Sequence, residues 1–174
     1  MTRARRPRPP GEPYEDAVRY LGPRPRSIAE IRRQLRGKGH GEEAIDGAVD
    51  RLRTQGYVDD LAFARYWLEQ RERFRPKGDR ALVSELLQKG IAREAIDAAL
   101  GERAPESQLA QARAAIRKPR ARWAALDEAD RKRRMHAYLA QRGFDYETIE
   151  EVLLHPAAED AGPPAGAILD ELNM

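Results

Sequence analysis

The 174-residue sequence contains no cysteine, which excludes disulfides, thiolate-bound metals and a cysteine nucleophile. Aromatic residues make up only 6%, and the mean hydropathy of -0.78 predicts a thin core. Charged residues interrupt every apolar stretch, so no segment approaches the roughly 20 apolar residues that a membrane-spanning helix needs. The Arg- and Pro-rich start has no apolar region behind it and does not resemble a secretory signal. These absences predict a cytoplasmic protein.

A long repeat is anchored on three glycines that each follow a Lys or Arg: Gly39, Gly90 and Gly143. Leu stands four positions before each glycine, an aliphatic residue or Met eight before, and Ile six after. These nine positions are Ile31, Leu35, Ile45, Leu82, Leu86, Ile96, Met135, Leu139 and Ile149. A repeat of about 50 residues is typical of stacked helical units.

The spacing around each glycine predicts a helix, a left-handed glycine corner and a second helix. A further amphipathic segment precedes each corner, at residues 16–21, 61–74 and 105–116, which gives three helices per repeat. Pro25, Pro76 and Pro119 fall between the first and second helix of their repeats, where the chain must break. Nothing alternates like a strand, so the predicted fold is all-α, with nine helices and one continuous core shared by neighbouring repeats.

Helix caps and composition set the predicted boundaries. Ser27 with Glu30 forms a capping box, the pair Asp59-Asp60 supplies a helix cap rather than a carboxylate site, and Pro105 occupies a first helical position. The predicted organisation is a disordered basic arm at 1–13, repeats at 14–58, 59–103 and 104–155, and a flexible Pro/Gly-rich acidic tail at 156–174.

The sequence shows no recognisable catalytic or metal-binding pattern. His40, His136 and His155 lack the spacing of metal ligands, and no serine lies in a nucleophile elbow. The Lys-Gly pairs lack the remainder of a phosphate-binding loop. We therefore expect no enzyme activity, no metal and no cofactor.

Charge follows the repeat. Segments 1–40, 61–80 and 113–142 are basic, and the segments between and after them are acidic. Stacked repeats would align these charges into a basic and an acidic face, suited to an elongated charged partner. The alternative is ordinary solvated charge.

The aromatic residues allow two interpretations. A cluster at the start of the second repeat is expected in the core: Tyr57, Phe63, Tyr66, Trp67 and Phe74. Trp123, which follows Arg120 and Arg122, belongs either to the core or to a surface that stacks on a nucleobase or a partner side chain.

Four segments together resemble the RecX family, the regulators of bacterial RecA recombinase. They are SIAEI at 27–31, QGYVDD at 55–60, ELLQKGI at 85–91 and LAQRGF at 139–144, and the resemblance spans about residues 14–154. It implies an elongated, curved array of three tandem three-helix repeats that lies in the groove of the RecA–DNA filament. It further implies suppression of RecA ATPase, strand exchange and co-protease activity.

The family supplies no sharply defined binding motif, so we assign contact residues by charge alone. The first group is Arg71, Arg73, Arg75, Lys77 and Arg80, and the second is Arg117, Lys118, Arg120, Arg122, Arg131, Lys132, Arg133 and Arg134. The expected partner of a monomeric chain is the RecA filament, with single- or double-stranded DNA as a weaker or indirect contact. Alternatives are a DNA-binding module or transcriptional repressor acting without RecA, and a helical adaptor for an unrelated partner.

Overall fold

A computed structural model describes residues 11–22 and 24–155, and this part of the chain is helical with no strand. The helices are α1 Pro13–Leu21, α2 Ile28–Gly37, α3 Glu42–Thr54, α4 Asp60–Phe74, α5 Asp79–Gln88, α6 Arg93–Gly101, α7 Ser107–Arg117, α8 Glu128–Gln141 and α9 Tyr146–Leu154, with a 3₁₀ helix at Pro119–Trp123. The all-α prediction is confirmed. None of the described helices is long and apolar enough to cross a membrane.

The helices form three units, each with its own core. Helices α1–α3 make unit 1, α4–α6 unit 2 and α7–α9 unit 3. The nine repeat positions named above are all buried, with at most 3% of each side chain exposed. The prediction of one continuous core is wrong, because the buried apolar residues of the described chain fall into three separate clusters, one in each unit.

The three glycine corners have the predicted left-handed backbone, with φ of 88°, 76° and 84° at Gly39, Gly90 and Gly143. At each corner the N–H after the glycine donates to the carbonyl of the repeat leucine, as in the bond from Ile91 to Leu86 at 3.1 Å. A side chain other than hydrogen is strained at such φ values, which accounts for glycine at these corners.

Two predicted caps are confirmed. The Ser27 hydroxyl accepts from the Glu30 N–H at 3.2 Å, and the Glu30 carboxylate accepts from the Ser27 N–H at 3.2 Å. Asp59 caps α4 by accepting from the Ala62 N–H at 2.7 Å. Pro105 is not a first helical position, because a turn closed by the Ser107 N–H and the Ala104 carbonyl delays the start of α7.

Consecutive units meet through polar and backbone contacts at equivalent places. The N-cap of the second helix in one unit meets the glycine corner of the next: the Ser27 hydroxyl donates to the Lys89 carbonyl at 2.7 Å, and the Gly78 N–H donates to the Arg142 carbonyl at 3.0 Å. Glu30 adds an ion pair to Lys89 at 2.8 Å. Residues 1–10 of the predicted arm and the tail at 156–174 lie outside the described residues, while Pro13, the last residue of the predicted arm, begins α1.

Candidate interaction surface

A groove of about 780 Å³ lies between units 2 and 3, and we call it the junction groove. Unit 2 contributes the end of α4 and the linker to α5, while unit 3 contributes the end of α7 and one side of α8. Its basic and aromatic lining residues are Arg73, Phe74, Arg75, Lys77, Arg117, Lys118, Tyr138 and Arg142. Five of the predicted contact cations therefore meet here, from two segments that lie 40 residues apart in the chain.

The junction groove carries a large excess of positive charge. Among the described residues, Glu72 is its one acidic lining residue, and that carboxylate is already paired with Arg103 at 2.8 Å. Within the described ranges, five of the lining cations form no ion pair: Arg73, Arg75, Arg117, Lys118 and Arg142. Unneutralised cations in a concave surface concentrate positive potential and attract an anionic partner.

The linker that carries Arg75 and Lys77 is held in place by Glu85 of α5. The Glu85 carboxylate accepts hydrogen bonds from Trp67 Nε1 at 2.8 Å, from Arg71 Nε at 2.7 Å and from Lys77 Nζ. Burial raises the pKa of Glu85, but the bonds from Lys77, Arg71 and Trp67 outweigh burial and hold it below its ordinary value of 4.5. Arg71 also stacks on the Trp67 ring at 4.5 Å, so the structure places Arg71 within unit 2 rather than in the groove.

We expect Glu85→Gln to lower the free energy of unfolding by about 1–3 kcal/mol, the range for hydrogen bonds to charged groups. Because the folded pKa of Glu85 lies below its unfolded value, the stabilisation by this carboxylate is present above about pH 4.5 and is lost as the pH falls further. Urea unfolding at neutral pH and near pH 4 measures both effects. The control is Glu69→Gln on α4, because the Glu69 carboxylate is exposed and forms no ion pair with the described residues. This substitution should change the free energy of unfolding by less than about 0.5 kcal/mol. Equal effects of the two variants would contradict the anchoring role.

The remaining predicted cations are distributed over unit 3 and α5. Arg120, Arg131 and Lys132 line a second groove of about 650 Å³, within unit 3, which Arg117 also borders. Lys132 pairs with Glu128 at 2.8 Å, and Arg133 pairs with Asp130. Arg80, Arg122 and Arg134 are exposed and border neither groove.

The aromatic predictions are partly wrong. Phe63 is buried and Trp67 packs against the unit 2 core, but Phe74 is 66% exposed and Tyr57 is 60% exposed. The buried residues of α4 end at Leu68, so the last turn of the helix extends past the core and leaves Phe74 at the groove. Trp123 packs edge-on against Tyr138, with 5.5 Å between ring centroids, which favours its core interpretation.

Sequence reasoning missed three lining residues of the junction groove. Arg142 sits in the glycine corner of unit 3, donates to the Pro76 carbonyl at 3.4 Å and stacks on Tyr138 at 4.5 Å. Its place before Gly143, matching Lys38 and Lys89, was the available signal. Phe74 and Tyr138 gave no signal, because aromatic residues at helical spacing read equally well as core.

These features define a helical-repeat protein with a basic groove between its second and third units. Three family models, described as the first, second and third three-helix domains of RecX, match residues 14–52, 59–100 and 106–153. The chain belongs to the RecX family.

Named relatives and a solved structure agree with this assignment. The "Regulatory protein RecX" of Pelodictyon phaeoclathratiforme is 34% identical over 150 residues, covering 84% of this chain and 92% of that protein. The protein of the same name from Prosthecochloris aestuarii is 36% identical over 137 residues, covering 79% and 88%. A crystal structure of regulatory protein RecX, 27% identical, superposes with a TM-score of 0.73 over 80% of this chain and 70% of that one.

Proposed function

We propose that this protein regulates RecA recombinase, mainly as an inhibitor, by binding in the groove of the RecA–DNA filament. Membership of the RecX family supports the partner. The observation that carries the proposal for the contact surface is the junction groove, where two units supply five cations without ion-pair partners in the described residues. Because RecA filaments form on bacterial DNA, the proposed compartment is the cytoplasm, with the monomer as the active species.

The proposed mechanism needs no catalytic group. The junction groove binds an acidic surface of the filament or its DNA phosphates, and the units on either side contact adjacent RecA protomers. Bridging two protomers opposes the motion coupled to ATP hydrolysis and the extension of the filament. Suppression of ATPase, strand exchange and co-protease activity would then share one cause.

Titration of the protein into RecA-driven, single-strand-dependent ATP hydrolysis tests this function. We expect hydrolysis to fall as protein is added, and the ratio of the two proteins at half effect separates two modes of binding. Inhibition well below one protein per RecA protomer indicates capping of filament ends, and a ratio near one indicates coating. An unchanged rate at excess protein would contradict the proposal.

The exposed Phe74 ring supports a second candidate, a DNA-binding module that acts without RecA. Its position beside Arg73 and Arg75 would let it stack on an unpaired base while the arginines contact phosphates. Binding to single-stranded DNA alone, with a steep loss of affinity as salt rises, would favour this function if RecA activity is unaffected. Phe74→Ala should then weaken DNA binding more than it weakens inhibition of RecA.

A further inference from the structure

The groove within unit 3, which we call the third-unit groove, combines an apolar surface with a basic rim. Met135, Leu153 and Leu154 contribute the apolar part, and Leu154 is 67% exposed at the end of α9. Arg117, Arg131 and Lys132 contribute to the rim. A large exposed leucine within a basic rim is a typical feature of a binding site for a segment with both apolar and acidic side chains.

The charges of the rim are only partly neutralised by the described residues. Glu128 is the one acidic residue among the described residues that line the groove, and its carboxylate pairs with Lys132 at 2.8 Å. Neither Arg117 nor Arg131 forms an ion pair within residues 11–22 and 24–155. The groove therefore presents at least two guanidinium groups to an occupant that supplies carboxylates.

The sequence that follows α9 has the complementary chemistry. Residues 156–174 contain Glu159, Asp160, Asp170 and Glu171 and no Lys or Arg. Ile168 and Leu169 directly precede the second acidic pair, and Leu172 follows it. This segment follows His155, which is one residue beyond Leu154 on the edge of the groove. Twelve residues link His155 to Ile168, and an extended chain of that length reaches about 40 Å, so the apolar residues can return to the groove.

We propose that the segment at 159–172 binds in the third-unit groove of its own chain, with its leucines on Leu153 and Leu154, above the buried Met135, and its carboxylates on Arg117 and Arg131. A segment tethered this closely has an effective concentration in the millimolar range, so a weak intrinsic affinity suffices for substantial occupancy. The bound tail covers these cations and competes with any external acidic partner for them. The inference stands independently of whether RecA is that partner.

Paramagnetic NMR on the full chain tests the proposal directly. Because the protein lacks cysteine, Ala167→Cys accepts a single spin label next to Ile168 without further changes. We expect the Met135 methyl resonance to lose most of its intensity in the labelled protein and to recover it on reduction of the label. Full Met135 intensity in the oxidised protein would overturn the proposal.

Two charge variants separate docking from mere proximity of the tail. Arg117→Glu with Arg131→Glu should restore the Met135 signal, whereas Arg80→Glu with Arg134→Glu, at exposed sites outside the groove, should leave it broadened. Equal broadening in both variants would overturn the proposed contacts. Circular dichroism confirms that each variant is folded.

Mixing spin-labelled protein with unlabelled, isotopically enriched protein identifies the chain that supplies the tail. Unchanged Met135 intensity in this mixture supports binding within one chain. Broadening in the mixture would show that the tail comes from a second copy and would contradict the proposal. None of these measurements involves RecA, so their failure is distinct from failure of the proposed function.

Discussion

Replacing Arg73, Arg75 and Lys118 together by glutamate should raise the concentration needed for half-inhibition of RecA-driven ATP hydrolysis by about tenfold to a hundredfold. The three side chains line the junction groove, are exposed and lack ion-pair partners in the described chain, so their charge is available to a partner. A loss of about 0.5–1 kcal/mol for each exposed charge contact corresponds to a change of this size. Folding should change little, because substitutions at exposed sites usually cost within about 0.5 kcal/mol each.

The matched control reverses the same number of charges outside the groove. Arg80, Arg122 and Arg134 are also exposed, and their replacement by glutamate changes the net charge equally. For this variant, the concentration needed for half-inhibition should stay within about threefold of the wild-type value. The small remaining effect comes from long-range electrostatic steering, which salt screens. If both triple variants weaken inhibition equally, net charge rather than the junction groove governs binding.

Gly78→Ala should disrupt the contact between units 2 and 3 and weaken inhibition of RecA by about tenfold or more. A Cβ added at Gly78 would lie 2.2 Å from the carbonyl oxygen of Gly143 and 2.3 Å from the Phe144 nitrogen, so the two backbones must separate. Overpacking of this kind costs about 1–3 kcal/mol, comparable to the free energy of a few polar contacts across the junction. Each unit has its own core, so helix content should remain while small-angle scattering detects a changed arrangement of the units.

Gly41→Ala provides a close control for this substitution. Gly41 caps α3 with φ -74° and ψ 155°, nearly the dihedral angles of Gly78 at the start of α5, and a Cβ there would meet no atom within 4 Å. Any cost of replacing a cap glycine by alanine is therefore common to both variants. The scattering profile of Gly41→Ala and its inhibition of RecA should match those of the wild type. If Gly78→Ala also matches the wild type in both measurements, the junction between units 2 and 3 tolerates the added Cβ and the prediction is wrong.

The internal architecture of each unit was predictable from the sequence because it depends on short-range patterns. Leu86 four residues before Gly90 and Ile96 six after it define two helix faces that meet at one corner, and both side chains are buried. The capping box at Ser27 is likewise a pattern of adjacent residues. Helical periodicity and cap chemistry operate within a few turns of the chain, so one sequence suffices to read them.

The arrangement between units was not predictable in the same way. The contacts there join a backbone N–H at Gly78 to a carbonyl at Arg142, and backbone groups are present at every position and leave no sequence pattern. The expectation of a shared core failed for this reason. Charge counting found Arg75 and Lys118, but only the folded chain shows that they face the same groove, while Arg71 is held by Glu85.

Site-specific cross-linking is the most direct test of the central claim that the junction groove contacts the RecA–DNA filament. The cysteine-free sequence allows one photoreactive label at a time, at Lys118→Cys in the groove or at Arg134→Cys outside it. Each labelled protein is bound to RecA–DNA filaments that are stabilised by a slowly hydrolysed ATP analogue, and the complex is then illuminated. We expect the label at 118 to cross-link to RecA or to DNA, and the label at 134 to give far less cross-linked product. Abundant product at 134 with none at 118, from two folded proteins that both inhibit RecA, would contradict the account.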